Sequence, residues 1–149
     1  PEWLDTPRKM PVIVTPHMGE MARLTRCTIK ELREKRLELS TAFARDRRVI
    51  LILKDARTLI TDGERIILNE TGNDGMATGG AGDVLTGIVT GLLAQGMEPF
   101  MAAAFGVYLH GLSGDEARKR KGARGMLSTD LLDVLPFVLK EGQISDERY

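Results

Sequence analysis

The first apolar run along the chain, Pro11–Thr15 (PVIVT), is short and β-branched and predicts a buried strand. A loop over Pro16, His17, Met18, Gly19 and Glu20 follows, then a short helix over Glu20–Thr25. Thr28 and Glu31 stand at capping-box spacing, where hydroxyl and carboxylate satisfy two orphan amides, so a longer helix is expected from Thr28. Ile29, Leu32, Leu39 and Phe43 fall near one face of that helix. Lys30, Glu31, Arg33, Glu34, Lys35, Arg36 and Glu38 fill most of the rest, and their alternating signs read as a solvated face rather than a nucleic-acid patch. Val49–Leu53 (VILIL) is apolar throughout, as in a strand covered on both faces, and ends at Lys54. Thr58–Thr61 and Arg65–Leu68 flank Asp62-Gly63 and predict a hairpin.

Beyond it, Asn69–Gly82 is glycine-rich and loop-like. Asp83–Gln95 predicts a helix with Val84, Leu85, Ile88, Val89, Leu92 and Leu93 on one stripe, and with Gly87 and Gly91 placed to admit another backbone. Pro99 suits the first turn of a helix running to about Arg120. That helix is apolar on nearly every face through Leu112, so deep packing is expected, with His110 as a structural histidine. Ser128 is expected to cap a last helix that Pro136 kinks or restarts, and Gly142–Tyr149 to fray. The order is that of an α/β fold with helices covering a sheet. A buried first strand with only about four strands in all needs further neighbours, so the domain is expected to extend upstream of Pro1.

Composition narrows the class. Lys plus Arg and Asp plus Glu number 21 each among 149 residues, which argues against a partner recruited by bulk charge, nucleic acid above all. No apolar stretch approaches the ~18 residues of a membrane span. The single cysteine, Cys27, has no intrachain partner, which suits a reducing cytoplasm. Trp3 and the seven methionines read as packing residues. No metal-ligand cluster is legible.

The densest chemical signal is Asn69–Gly87, NETGNDGMATGGAGDVLTG. Its glycines let a ligand touch backbone, and the loop feeds a helix N-terminus, where free N–H groups and the dipole favour an anion. Neither known phosphate fingerprint fits: the Gly-Lys-Ser/Thr ending of a P-loop is absent, and Leu85 stands where a dinucleotide motif needs its third glycine. Asp83, on the first helical turn, either complements the dipole or takes a proton from an attacking hydroxyl. Phosphoryl transfer is the chemistry such parts serve.

The string Ala77-Thr78-Gly79-Gly80-Ala81-Gly82-Asp83 resembles the DTxGAGD signature of ribokinase-like kinases, with Ala77 in place of its first aspartate. The fuller string from Gly72 to Gly87 resembles the ADP/ATP-dependent NAD(P)H-hydrate dehydratases, as do Thr15–Leu24 (TPHMGEMARL), Leu53–Thr58 (LKDART) and Gly106–Gly111 (GVYLHG). The resemblance runs from about Pro11 to Lys140. It implies a ribokinase-like α/β fold with a mostly parallel sheet, of which residues 1–149 form the C-terminal portion of one domain, truncated at its N-terminus. It implies a cytoplasmic enzyme that phosphorylates the ring hydroxyl of NADH or NADPH hydrate with ADP or ATP and Mg²⁺, then eliminates phosphate. It also implies a homo-oligomer, a tetramer. By match, Asp83 is the base and touches the hydrate; Gly80, Ala81 and Gly82 supply an amide anion hole, with Gly82 also against the nucleotide. His17 matches the histidine that contacts the hydrate, and Lys54, Asp55, Ala56, Arg57 and Thr58 the nucleotide segment. His17 also reads as a simple loop cap of Glu20 or the backbone.

Asp55 departs from the family's usual glycine, and an aspartate near nucleotide phosphates repels them unless it points away or meets Mg²⁺. Met18 and Asp74 replace usual prolines. The alternatives are a ribokinase-like kinase for a vitamin or sugar, and a nucleotide-binding fragment without turnover.

Overall fold

The computed structural model describes residues 10–142. Trp3 and the tail from residue 143 onward lie outside the described residues. The chain forms two compact units: the residues up to Asn69 with Glu98–Ala104, and Glu70–Met97 with the residues from Phe105 on.

In the first unit β1 (Val12–Val14) pairs in parallel with β2 (Val49–Leu53), setting Val12 opposite Val49 and Val14 opposite Leu51. β2 pairs antiparallel with β3 (Leu59–Thr61), and β3 antiparallel with β4 (Ile66–Leu68), in the order β1-β2-β3-β4. The expected parallel pairing therefore holds for β1–β2 alone among the described strands, because the Asp62-Gly63 hairpin reverses the chain. Every residue of β2 is buried, as its unbroken apolar run predicts. β1 is half-buried rather than buried. It stands at the end of the sheet order, beside an open groove of about 1210 Å³ lined in part by Val14, Leu24, Leu39 and Phe43.

α1 (Met18–Thr25) begins two residues before its expected start. The single helix expected from Thr28 is two, α2 (Ile29–Glu34) and α3 (Arg36–Arg47), broken at Lys35 with φ −112° and ψ 31°. No glycine or proline marks the break. It falls where Arg36 turns inward, half-buried, to donate to the Arg57 carbonyl. Both Thr28–Glu31 cap bonds form. Leu32, Phe43 and Ala44 pack with Met21, Leu51, Leu53 and Leu59 into one core, while Ile29 stays exposed.

The second unit holds α4 (Ala81–Ala94), most of α5 (Pro99–Lys121) and α6 (Ser128–Gly142). Val84, Leu85, Ile88, Val89 and Leu92 of α4 are buried, each contributing ~1.5–3 kcal/mol. The expectation for Gly87 and Gly91 fails: a Cβ at either meets nothing within 4 Å. The close approach is made from the facing helix, where a Cβ on Gly106 stands 2.6 Å from Val89 Cγ2. α5 is not packed on every side, since Met101, Phe105 and Tyr108 form an exposed stripe at i, i+4 and i+7. α6 passes through Pro136 as one helix, held by its buried Leu131, Val134 and Val138. Its start is tied by Asp130, which accepts the Leu127 N–H at 2.8 Å, rather than by Ser128. No helix among the described residues is long and apolar enough to cross a membrane.

Two glycine substitutions separate these roles. Gly87→Ala fills open space on an exposed helical position and is expected to stabilise by about 0.5–1 kcal/mol. Gly106→Ala drives a methyl into Val89 and is expected to destabilise by about 1–3 kcal/mol. Denaturant unfolding of both variants in the full reading frame checks the opposite signs.

Candidate functional site

Parallel strands release their chains at the same end, and β1 and β2 do so at Pro16 and Lys54, whose N–H donates to the Pro16 carbonyl at 2.9 Å. His17 and Lys54 form the next parallel bridge. His17 is exposed and caps α1: its Nδ1 accepts from the N–H of Gly19 at 3.0 Å and of Glu20 at 3.2 Å. Glu20 Oε2 answers by accepting the His17 N–H at 2.8 Å. Nδ1 is an acceptor here, so the ring proton sits on Nε2, 3.5 Å from Glu20 Oε1. The capping reading of His17 is what the geometry shows, with Nε2 set beside the Glu20 carboxylate. The backbone hydrogen bond from His17 is the largest effect on the Glu20 carboxyl and holds it below its ordinary value.

Residues 54–58 turn the chain from β2 into β3. Thr58 Oγ1 donates to the Asp55 carbonyl at 3.3 Å, and the Thr58 carbonyl accepts from Asn69 N–H at 2.9 Å. Lys54 and Thr58 are half-buried; Asp55, Ala56 and Arg57 are exposed. Arg36 braces this turn from α3. Besides its bond to the Arg57 carbonyl, its Nη1 stands 3.8 Å from Asp55 Oδ2. The charge that Asp55 brings is thus met by a guanidinium inside the chain.

In the second unit α5 secures the start of the glycine loop. Thr71 Oγ1 donates to the Tyr108 carbonyl at 3.1 Å, and Gly111 packs against Thr71. Asp115 accepts the Gly72 N–H at 2.9 Å and Asn73 Nδ2 at 3.0 Å. Asn73 Oδ1 takes the Gly75 N–H at 3.0 Å, closing a turn over Asp74–Met76, and Arg118 reaches Asp74 at 2.6 Å.

At the far end α4 begins at Ala81, two residues before its expected start. Gly80 caps it with φ +88°, and a Cβ there would stand 2.7 Å from Ser128 Oγ, so only glycine fits. The Ala81 N–H donates to Thr78 O at 3.3 Å, and the N–H groups of Asp83 and Val84 to Gly80 O at 3.0 and 3.1 Å. Among the described residues, the Gly80 and Gly82 N–H groups have no acceptor within the chain, while the Ala81 N–H is engaged. The Asp83 side chain is exposed on this first turn. His110 Nε2 lies 2.9 Å from the Ala81 carbonyl.

The structure thus gathers Gly80, Ala81, Gly82 and Asp83 at one helix start, and His17 with Lys54 at two strand ends, in different units. Sequence reading placed Arg36 on a solvated face, held His110 as structural and did not single out Asp115; their partners lie 21, 29 and 43 residues away. The one hint was polar residues at Tyr108, His110 and Asp115 inside an apolar helix. No group of three His, Cys, Asp or Glu among the described residues is placed to hold a metal ion.

Comparison with known proteins places this geometry among relatives. A sequence model of the family described as NAD(P)H-hydrate dehydratase matches residues 4–137. The bifunctional NAD(P)H-hydrate repair enzyme Nnr of Moorella thermoacetica is 53% identical over 132 residues, covering 87% of this chain and 25% of that protein. The crystal structure of ADP/ATP-dependent NAD(P)H-hydrate dehydratase from Bacillus subtilis, co-crystallised with ATP/Mg²⁺, is 37% identical with a TM-score of 0.87, covering 91% of this chain and 50% of that one. A ribokinase-like superfamily protein from Enterococcus faecalis is 34% identical with a TM-score of 0.78, covering 92% and 47%. The fold is ribokinase-like α/β, and the chain spans about half the length of the solved chains and a quarter of the Moorella protein.

The Glu20 cap has a pH signature. Its folded value is lowered, so the stability it lends is present above the unfolded carboxylate range and is lost as pH falls through the folded value. A carboxyl titration followed by NMR is expected to place the Glu20 midpoint below 4.5, with the His17 amide shifting in step. A midpoint at or above that value contradicts the cap.

Proposed function

The chain belongs to the NAD(P)H-hydrate dehydratase family, and from that premise we propose that its protein restores damaged nicotinamide cofactor by nucleotide-dependent dehydration. The observation that carries this reading is the start of α4, where two amides without an acceptor among the described residues stand beside the exposed carboxylate of Asp83. The 149 residues are read as the C-terminal portion of one such domain, which the half-length coverage supports.

Hydroxide is a poor leaving group and phosphate a good one, so the ring hydroxyl of NADH or NADPH hydrate is first phosphorylated. Asp83 takes the hydroxyl proton as the oxygen attacks the terminal phosphorus of ADP or ATP, a task worth ~10²–10⁴ in rate; the bond from that phosphorus to the bridging oxygen breaks, and AMP or ADP leaves. The Gly80 and Gly82 amides face the charge that develops on the phosphoryl oxygens, and each such donor is worth ~2.7–4 kcal/mol. Phosphate then leaves with the electron pair of the C–O bond, the adjacent ring carbon gives up a proton to solvent, and the ring double bond returns. Gly82 also lies against the nucleotide, and Ala81 contributes its place in the turn rather than its N–H. His17 offers Nε2 to the hydrate, its Nδ1 being spent on the cap. Residues 54–58 hold the nucleotide, with Lys54 as the cation.

Mg²⁺ would be carried by the nucleotide phosphates and water rather than by a protein cage. When bound, the ion neutralises phosphate charge. The protein is taken to act in the cytoplasm, as a homo-oligomer of tetrameric form, without nucleic acid.

The test supplies hydrated NADH, Mg²⁺ and either ADP or ATP to the full reading frame and follows the reduced nicotinamide absorbance. Nucleotide-dependent recovery is expected, and Asp83→Asn is expected to lower it by about 10² or more while sparing ADP binding. A stable phosphate ester points instead to a small-molecule kinase, and binding without turnover to a nucleotide-binding module.

Asp55 gives a second test. Removing it releases the charge of Arg36, so Asp55→Gly is expected to tighten ADP binding by about threefold to tenfold, as befits a partly exposed charge. Calorimetric titration that shows unchanged or weaker binding contradicts the repulsion.

A further inference from the structure

We propose that His110 is the positioning residue that aims the Gly82 N–H at the phosphoryl group, an inference that rests on the reading of the α4 start given above.

A carbonyl oxygen can only accept, so His110 Nε2, 2.9 Å from the Ala81 oxygen, must carry the proton and donate it. The Ala81 carbonyl and the Gly82 N–H belong to one peptide unit. That unit is planar and trans, as are all the described peptide bonds, so its C=O and N–H point in opposite directions. Fixing the oxygen fixes the direction of the hydrogen.

This peptide needs such a hold. It opens α4, where helix ends fray, and it follows Gly80, a residue with the widest backbone freedom. The neighbouring amides are tied to Thr78 and Gly80 carbonyls; the Gly82 N–H has no acceptor among the described residues and takes its direction from the Ala81 carbonyl of the same peptide. Donation to the carbonyl also polarises the peptide and strengthens the N–H as a donor. His110 sits half-buried in the middle of α5, a long helix that also grips the loop start through Asp115, so the hold comes from a rigid element. His110 itself touches neither nucleotide nor hydrate in this scheme.

The test uses three variants in the full reading frame. Gln carries an amide N–H at about the reach of Nε2, Asn falls short, and Leu cannot donate. His110→Leu and His110→Asn are expected to lower kcat by about tenfold to a hundredfold, short of the ~10²–10³ for outright loss of such a donor, with KM for nucleotide nearly unchanged. His110→Gln is expected to recover most of the rate. Near-wild-type kcat in both His110→Leu and His110→Asn overturns the proposal, as does a His110→Gln as slow as they are. A second readout does not need turnover: the Gly82 amide resonance is expected to shift on adding ADP in wild type and His110→Gln, and far less in His110→Asn. A shift equal in all, or absent in all, overturns the proposal. A wild-type protein that restores no reduced nicotinamide overturns the functional reading instead, and the resonance still decides the role of His110.

Discussion

An irregular segment of backbone must find partners for the polar groups that a helix or sheet would have paired, and the glycine loop of this protein depends on that constraint throughout. From Thr71 to Gly80 the chain forms one short turn and otherwise no regular structure. Its groups are met from α5, where Tyr108 lends a carbonyl, Asp115 a carboxylate and His110 a ring nitrogen. All three lie within eight positions of one helix, so the loop inherits helical rigidity without helical shape.

The first unit solves a related problem by other means. Parallel pairing sets the exits of β1 and β2 side by side, and the bridge between His17 and Lys54 prolongs the ladder by one step past the strands. The turn that follows β2 carries charges of both signs, and Arg36 reaches it from α3. Neither piece is a large apolar cavity. Each is a strand end or helix end with its backbone fixed by side chains from elsewhere, which is where charged ligands are bound in α/β folds.

Much of this was legible in the residues. The run VILIL declared a strand buried on both faces, Thr28 and Glu31 declared a cap, and Asp62-Gly63 declared a hairpin; each is a local rule that the structure obeys. The five glycines from Gly72 to Gly82, ahead of the apolar stripe, marked the irregular segment that the structure shows before α4. What escaped was tertiary. The break at Lys35 follows from a guanidinium meeting a carbonyl 21 residues on, and no propensity encodes it. Gly87 and Gly91 had the spacing of a close approach, but the approach is made by Gly106, since spacing alone does not say which helix yields. β1 looked buried by its residue types, yet burial depends on neighbours that a strand does not name. His17 carried two readings, and the structure gives its two ring nitrogens different work.

The pairing of Arg36 with Asp55 bears on how such sequences drift. The aspartate in this turn has a cation beside it, and that cation also holds the turn by a carbonyl. Neither residue can change alone without leaving a stray charge or a loose turn. The two positions are therefore bound to vary together among descendants of this chain, a glycine at one releasing the arginine at the other.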